Sequence, residues 1–253
     1  MTCYTVNEKG LFVMTITIVH GQQHKGSTYH ITEILKERLT EGSETVVHEY
    51  FMPKDTPEYC VGCFRCILKG EENCYQSEKA LKILDSMLMS DVIIFDSPTY
   101  CIEMTGQLKT LFDHYGYMWM PHRPRKEMFS KIGVAISTAA GSGARNVTKS
   151  MARQMFWWGV PRIYRLSFNV NASCWDDVPE KKRERIIKRT QETADSIKKK
   201  IGRAKPGFKT RLMFNVMRKI QQSNTWNMTD RDYWEKNGWL KKDRPWKKQG
   251  RQS

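Results

Sequence analysis

Five stretches of the chain carry strand-like hydrophobic patterning. Leu11 to Val19 (LFVMTITIV), Val92 to Asp96 and Ile132 to Ser137 are nearly continuous apolar runs, as expected of strands covered on both faces. Thr45 to Phe51 includes Thr45, His48 and Glu49, while Ile163 to Val170 alternates Tyr164, Leu166, Phe168 and Val170 with polar neighbours. Both read as half-exposed edges. Between the strands, apolar positions recur at helical spacing: Ile31, Ile34, Leu35 and Leu39; Leu81, Leu84 and Leu88; Leu108, Leu111, Phe112 and Tyr115; Val147, Met151 and Met155; then Ile186, Ile187, Thr190, Ala194, Ile197 and Ile201. This alternation predicts an α/β protein with a doubly wound, parallel five-stranded sheet in the order 2-1-3-4-5. Gly202 to Gly207, with Pro206, interrupts the pattern. It suggests a main domain over residues 1–202 and an extension over 203–253. In the extension, Leu212, Met213, Val216, Met217 and Ile220 predict a short amphipathic helix. Trp226, Trp234, Trp239 and Trp246 follow among lysines and arginines, a composition too aromatic for a simple disordered tail.

Charge divides the chain at nearly the same place. The net charge of +15 lies wholly in residues 179–253, which hold 23 basic and 8 acidic residues; the first 178 hold 19 of each. The main domain is thus near neutral, and nothing in its charge points to nucleic acid. No apolar run is long enough to cross a bilayer, and LFVMTITIV lacks the small-residue cleavage site of a secretory signal. With seven cysteines and no leader, the expected setting is a reducing cytoplasm.

The candidate chemistry lies in loops after three of the strands. The first is His20-Gly21-Gln22-Gln23-His24-Lys25-Gly26-Ser27-Thr28, leading into a helix. A helix N-terminus favours phosphate; here Ser27 and Thr28 offer hydroxyls and His24 and Lys25 positive charge. Capping by Ser27 or Thr28 is the plain structural alternative. The spacing is neither that of a nucleotide triphosphatase loop nor that of a dinucleotide fingerprint. The second is Ser97-Pro98-Thr99-Tyr100-Cys101-Ile102, followed by Gly106-Gln107-Leu108-Lys109. The third is Ser137-Thr138-Ala139-Ala140-Gly141-Ser142-Gly143, whose small residues allow close backbone approach to a planar ligand.

S-P-x-Y followed by G-Q-L-K resembles the NADPH-dependent FMN reductase branch of the flavodoxin-like superfamily, over roughly residues 11–202. The resemblance implies a flavodoxin-like fold, non-covalent FMN and NAD(P)H as co-substrate. It makes the first loop the FMN phosphate loop, S-x-R-x-x-[GS]-[NS]-[ST]. Gly26-Ser27-Thr28 matches its end, Gly21 stands near the leading serine, and His24 lies near the basic position. Pro98, Thr99, Tyr100, Cys101 and Ile102 would line the isoalloxazine ring. Thr138, Ala139, Ala140 and Gly141 would lie along its edge, in place of a T-x-G-G-like loop. A homodimer or tetramer is also implied. No residue presents itself as an acid or base.

Cys60, Cys63, Cys66 and Cys74 form C-x2-C-x2-C-x7-C. Thiolates at this spacing suit one iron–sulfur cluster, and the motif resembles that of the iron–sulfur flavoproteins. A zinc site, buried free thiols or a thiol pair near the flavin remain open. His114 and His122, flanking Tyr117 to Pro121, could line the substrate side or face solvent. Three functions follow as expectations. One is an FMN-dependent oxidoreductase passing electrons from NAD(P)H to a small or protein acceptor such as a quinone or flavin. Another is an iron–sulfur flavoprotein in electron transfer. The third is association of the basic tail with lipid or nucleic acid. Asp230, Asp232, Glu235 and Asp243 break the tail's positive field, so packing of Trp226, Trp234 and Trp239 is favoured over peripheral membrane contact, and nucleic acid is not expected.

Overall fold

The computed structural model describes residues 5–6 and 12–247. Strands β1 (Thr5–Val6), β2 (Phe12–His20), β3 (Thr45–Phe51), β4 (Val92–Pro98), β5 (Ile132–Ala139) and β6 (Arg162–Asn169) form one sheet. The five longer strands are parallel, in the order β3-β2-β4-β5-β6. This is the flavodoxin-like 2-1-3-4-5 arrangement. The short β1, which no hydrophobic pattern announced, pairs antiparallel with the start of β2. Leu11, expected to open the first strand, lies outside the described residues.

Alternation along the buried strands builds two apolar layers. Ile16, Ile18, Val92, Ile94, Ile132, Val134 and Ile136 face α1 (Ser27–Thr40) and α6 (Glu180–Lys198), meeting Ile31, Leu35, Leu39, Ala194 and Ile197. Val19, Ile93, Phe95 and Ala135 face the other way, toward α3 (Ser77–Met89), α4 (Gly106–His114) and α5 (Ala144–Trp157). There Phe95, Phe112 and Tyr115 contact Trp158 edge-on or tilted. β3 and β6 are only partly buried, as their mixed sequences require.

Residues beyond 202 form α7 (Phe208–Gln222) and α8 (Met228–Lys236), after the short α2 (Arg65–Leu68) earlier in the chain. They pack on the main body through a third apolar cluster of Met120, Phe129, Phe214, Trp234 and Trp239. Phe214 stacks on Trp234 at 4.7 Å, and the Trp234 indole N–H donates to the His122 carbonyl. Two details differ from the sequence reading. Trp226 is exposed. On α7, Thr210, Phe214 and Gln221 are the buried residues, while Leu212, Val216 and Ile220 point outward.

Candidate functional site

The parallel register brings the carboxyl ends of β2, β4 and β5 side by side, where an open parallel sheet places ligands. After β2 the chain must cross the β4 loop closely. Gly21 N–H donates to the Asp96 carbonyl at 2.8 Å, and the Thr105 hydroxyl donates to the Gly21 carbonyl at 2.7 Å. A Cβ at Gly21 would stand 2.8 Å from the Asp96 carbonyl oxygen. A serine at this position would require the two loops to move apart.

α1 begins at Ser27 with Gly26 as an extended N-cap that offers no side chain, and no acidic residue stands in its first turn. Neither Ser27 nor Thr28 acts as the cap. The Thr28 hydroxyl instead bonds that of Thr138 on β5 at 2.6 Å, tying the first loop to the third. The leading N–H groups of a helix have no intrahelical acceptor, so this end is electropositive and open to an anion. Lys25 lies over the Tyr29 ring at 5.0 Å, and the His24 ring abuts Gly26.

Beneath the loop, buried His20 bonds Asp96 through Nδ1 at 2.7 Å, and the Thr32 hydroxyl donates to the same carboxylate oxygen. His20 stacks on Phe51 at 4.4 Å, and its Nε2 has no hydrogen-bond partner. Burial pushes the imidazole pKa down, but charge and hydrogen bonding from Asp96, aided by Glu49 and Glu33, outweigh it and raise the value. The pair gave no motif signal in the sequence, although His20 and Asp96 lie on adjacent core strands and stand directly opposite each other in the register.

The second loop leaves β4 at Pro98. Thr99 N–H donates to the Thr138 carbonyl at 2.9 Å, and its hydroxyl meets that of Ser137 at 3.1 Å. Tyr100 and Glu103 then exchange both backbone hydrogen bonds around Cys101 and Ile102, at φ 50° and 65°. Such a turn normally takes Asn or Gly. A β-branched residue in it is strained by about 1–3 kcal/mol. Tyr100 is 48% exposed, so it is no core residue, and Ile102 is exposed as well. In the third loop, Gly143 has φ 103°, and a Cβ there would lie 2.8 Å from the Thr99 methyl and 3.2 Å from Ile102 Cα. Thr138 and Ala139 are buried at the strand end, and Ala140 and Gly141 are exposed. The side of the turn toward α5 forms a groove of about 290 Å³ lined by Cys101, Ile102, Glu103, Asn146, Lys149 and Arg153. Lys149 and Arg153 carried no motif signal; their helical spacing on α5 was the available one.

This donor set suits an FMN phosphate at the start of α1, through its N–H groups, the Ser27 hydroxyl and Lys25.

The cysteine segment leaves the same end of the sheet, since Met52 N–H donates to the His20 carbonyl at 2.9 Å. Cys60 and Cys63 are exposed, Cys66 and Cys74 partly buried. Burial raises the Cys66 thiol pKa, with smaller contributions from Cys74, Cys60 and Cys63 opposed by Arg123. Among the described residues no three His, Cys, Asp or Glu side chains gather as a metal-holding group. His114 is buried here, bonding the Glu58 carbonyl at 2.7 Å with Cys74 Sγ 3.7 Å away. His122 pairs with Asp230 at 2.7 Å. Both histidines are therefore engaged beside the cysteine segment.

A polar clamp unforeseen in the sequence holds this segment. Arg123, nearly buried, donates to the carbonyls of Cys66 and Ile67 and to Asp230 Oδ1, the last at 2.5 Å. Thr229 donates to the Leu68 carbonyl at 2.6 Å, and Asn227 to Asp230 at 2.8 Å and to the Ile67 carbonyl at 3.4 Å.

Fold and strand order together define a flavodoxin-like α/β protein. Residues 14–173 match the NADPH-dependent FMN reductase family, and the chain belongs to it. Among curated proteins it is 33% identical over 138 residues to an iron-sulfur flavoprotein of Archaeoglobus fulgidus, covering 54% of this chain and 59% of that one. It is 32% identical over 144 residues to iron-sulfur flavoprotein CD630_04720 of Clostridioides difficile, covering 54% and 61%. The matches thus span about three fifths of each relative's length. Among solved structures, NAD(P)H:quinone oxidoreductase from Methanothermobacter marburgensis aligns with a TM-score of 0.57 at 16% identity, covering 73% of this chain and 97% of that one. Azoreductase from Bacillus anthracis aligns at 0.54 and 17%, covering 74% and 99%. At these identities the likeness is one of fold. Among the described residues no helix is long and apolar enough to cross a membrane.

Proposed function

We propose that the chain binds FMN non-covalently at the three loops, accepts hydride from NAD(P)H and passes electrons to a small acceptor such as a quinone, a flavin or another electron-poor compound. The observation that carries this reading is the mutual bonding of the loops around an uncapped helix start, through Thr28 to Thr138 and Thr99 to Ser137 and Thr138. FMN supplies the hydride and electron chemistry when bound, so the protein needs to supply placement, electrostatics and access. The first-turn N–H groups, Ser27 and Lys25 would hold the phosphate. Pro98 to Ile102 and Thr138 to Gly141 would border the ring, with Gly143 keeping the third loop close. The groove along α5 puts Lys149 and Arg153 beside the turn, which suits an anionic pyridine nucleotide. Purified protein titrated with FMN should bind it stoichiometrically and then oxidise NADH or NADPH with quinone or dye acceptors. Failure with every donor and acceptor, after FMN has bound, sinks the reductase reading.

A second reading, an iron–sulfur flavoprotein in electron transfer, rests on the C-x2-C-x2-C-x7-C spacing and on the names of the curated relatives. Cys60, Cys63, Cys66 and Cys74 would hold the cluster. Protein purified without oxygen should then carry iron and sulfide in fixed ratio to flavin, and Cys63→Ala should remove both. Unchanged iron in that variant refutes the assignment.

A further inference from the structure

α7 presents two faces of different character. Inward, Phe214 lies among Phe129, Trp234 and Trp239, and the Gln221 amide donates to the Pro121 carbonyl at 2.5 Å. These contacts fix the rotation of the helix. Outward, Phe208, Leu212, Val216 and Ile220 recur every fourth residue and are between 42% and 82% exposed. A repeat of four keeps them in one stripe. Exposed Lys209 and Lys219 fall within the same arc. Trp226, 68% exposed, and Met228 follow a few residues beyond the helix.

The stretch of sequence that bears this stripe carries charge of a single sign, and Asp243 reaches α7 only beside Arg244, on the side where Arg244 bonds Asn215. Residues 196–229 contain nine lysines and arginines and no acidic residue. The carboxylates that break the positive field of the tail, Asp230, Asp232, Glu235 and Asp243, all lie further on. Asp230 among them is buried against Arg123 and His122. Four large apolar side chains on an unpartnered, purely basic helix face have the composition of an interfacial helix. Basic residues beside such a face add attraction to anionic headgroups.

We infer that the outer face of α7, with Trp226 beyond it, docks the protein on an anionic lipid surface. A second copy of the chain fits the face less well, because pairing it with itself sets like charges against each other. Nucleic acid would satisfy the charge but leave the stripe of Phe208, Leu212, Val216 and Ile220 uncovered. The inference stands apart from the flavin reading, since none of these residues belongs to the three loops.

The test is co-sedimentation of the full chain with vesicles of phosphatidylglycerol and phosphatidylcholine in equal parts, and with vesicles of phosphatidylcholine alone, at low ionic strength. Binding should be at least about tenfold stronger to the anionic vesicles and should weaken as salt is added. The combined variant Phe208→Ser, Leu212→Ser, Val216→Ser and Ile220→Ser should lose at least about tenfold in that binding. Its near-ultraviolet circular dichroism and its FMN binding should match those of the parent. The inference is overturned if the parent does not bind anionic vesicles. It is equally overturned if the parent is a dimer in solution that the variant converts to monomer, or if the variant binds vesicles as the parent does. The single change Leu212→Glu gives a second reading of the same face should the fourfold variant fold poorly: it should weaken anionic-vesicle binding, and unchanged binding counts against the inference.

Discussion

Asp230 is the point where the cost of breaking the clamp can be worked out. Its carboxylate is fully buried and is bonded to Arg123, His122 and Asn227. Asp230→Ala leaves the Arg123 guanidinium nearly buried without its main counter-charge. Removing one partner of a buried ion pair costs about 3–5 kcal/mol. Arg123 keeps the carbonyls of Cys66 and Ile67 and a 3.3 Å contact with Glu71, so the lower end, about 3 kcal/mol, is expected. For a chain of this size that corresponds to a melting temperature lowered by about 6–12 °C. Urea unfolding followed in parallel by tryptophan fluorescence and far-ultraviolet circular dichroism measures the loss. Labelling of Cys66 by a thiol reagent should quicken in the same variant, because the carbonyl clamp on its segment loosens. Arg123→Met combined with Asp230→Leu should recover part of the lost stability, since it removes both charges together. A loss below about 1 kcal/mol for Asp230→Ala would refute the reasoning, because the carboxylate would then not be supporting a buried cation.

Two further outcomes follow from the site itself. Because the folded-state pKa of His20 is raised, its contribution to stability is fully present below the ordinary histidine value and is lost as pH rises through the elevated one. His20→Gln should therefore flatten the decline in urea midpoint as pH rises above the ordinary histidine value; an unchanged slope removes His20 as its source. Gly143→Ala forces a side chain into φ 103° against Thr99, and should cost about 1–3 kcal/mol and weaken FMN binding measured by flavin fluorescence. Unaltered affinity would mean that the third loop does not border the ring.

Much of the fold was legible because the inner strands are covered on both faces and so read as unbroken apolar runs. The edge strands were legible for the opposite reason, their mixed faces. β1 left no trace, being two residues long. The convergence of the three loops could be read from their places after strands, but their bonding could not. Thr28 and Thr138 are 110 positions apart and carry no periodic signal. The same distance effect hid the clamp, since Arg123 and Asp230 are 107 positions apart. On α7 the five apolar residues noted in the sequence form one arc of about 140°, of which only the Met213 and Met217 edge meets the aromatic cluster. The register was decided instead by Phe214, which finds the aromatic cluster, and the stripe of Leu212, Val216 and Ile220 was turned outward as a result. Trp226 stayed out for a related reason. The Asn224 side chain accepts from its N–H and from that of Asn227, forming a polar turn that carries the indole away from the cluster.

The clamp grips carbonyl oxygens at Cys66, Ile67 and Leu68, and those atoms are the same whatever side chains the segment bears. The grip on these carbonyls is therefore indifferent to which cysteines the segment bears, whereas a chain cut after residue 202 would lose Asn227, Thr229 and Asp230 and leave Arg123 alone on the carbonyls of Cys66 and Ile67. Any fragment prepared to study those thiols has to carry the chain through α8.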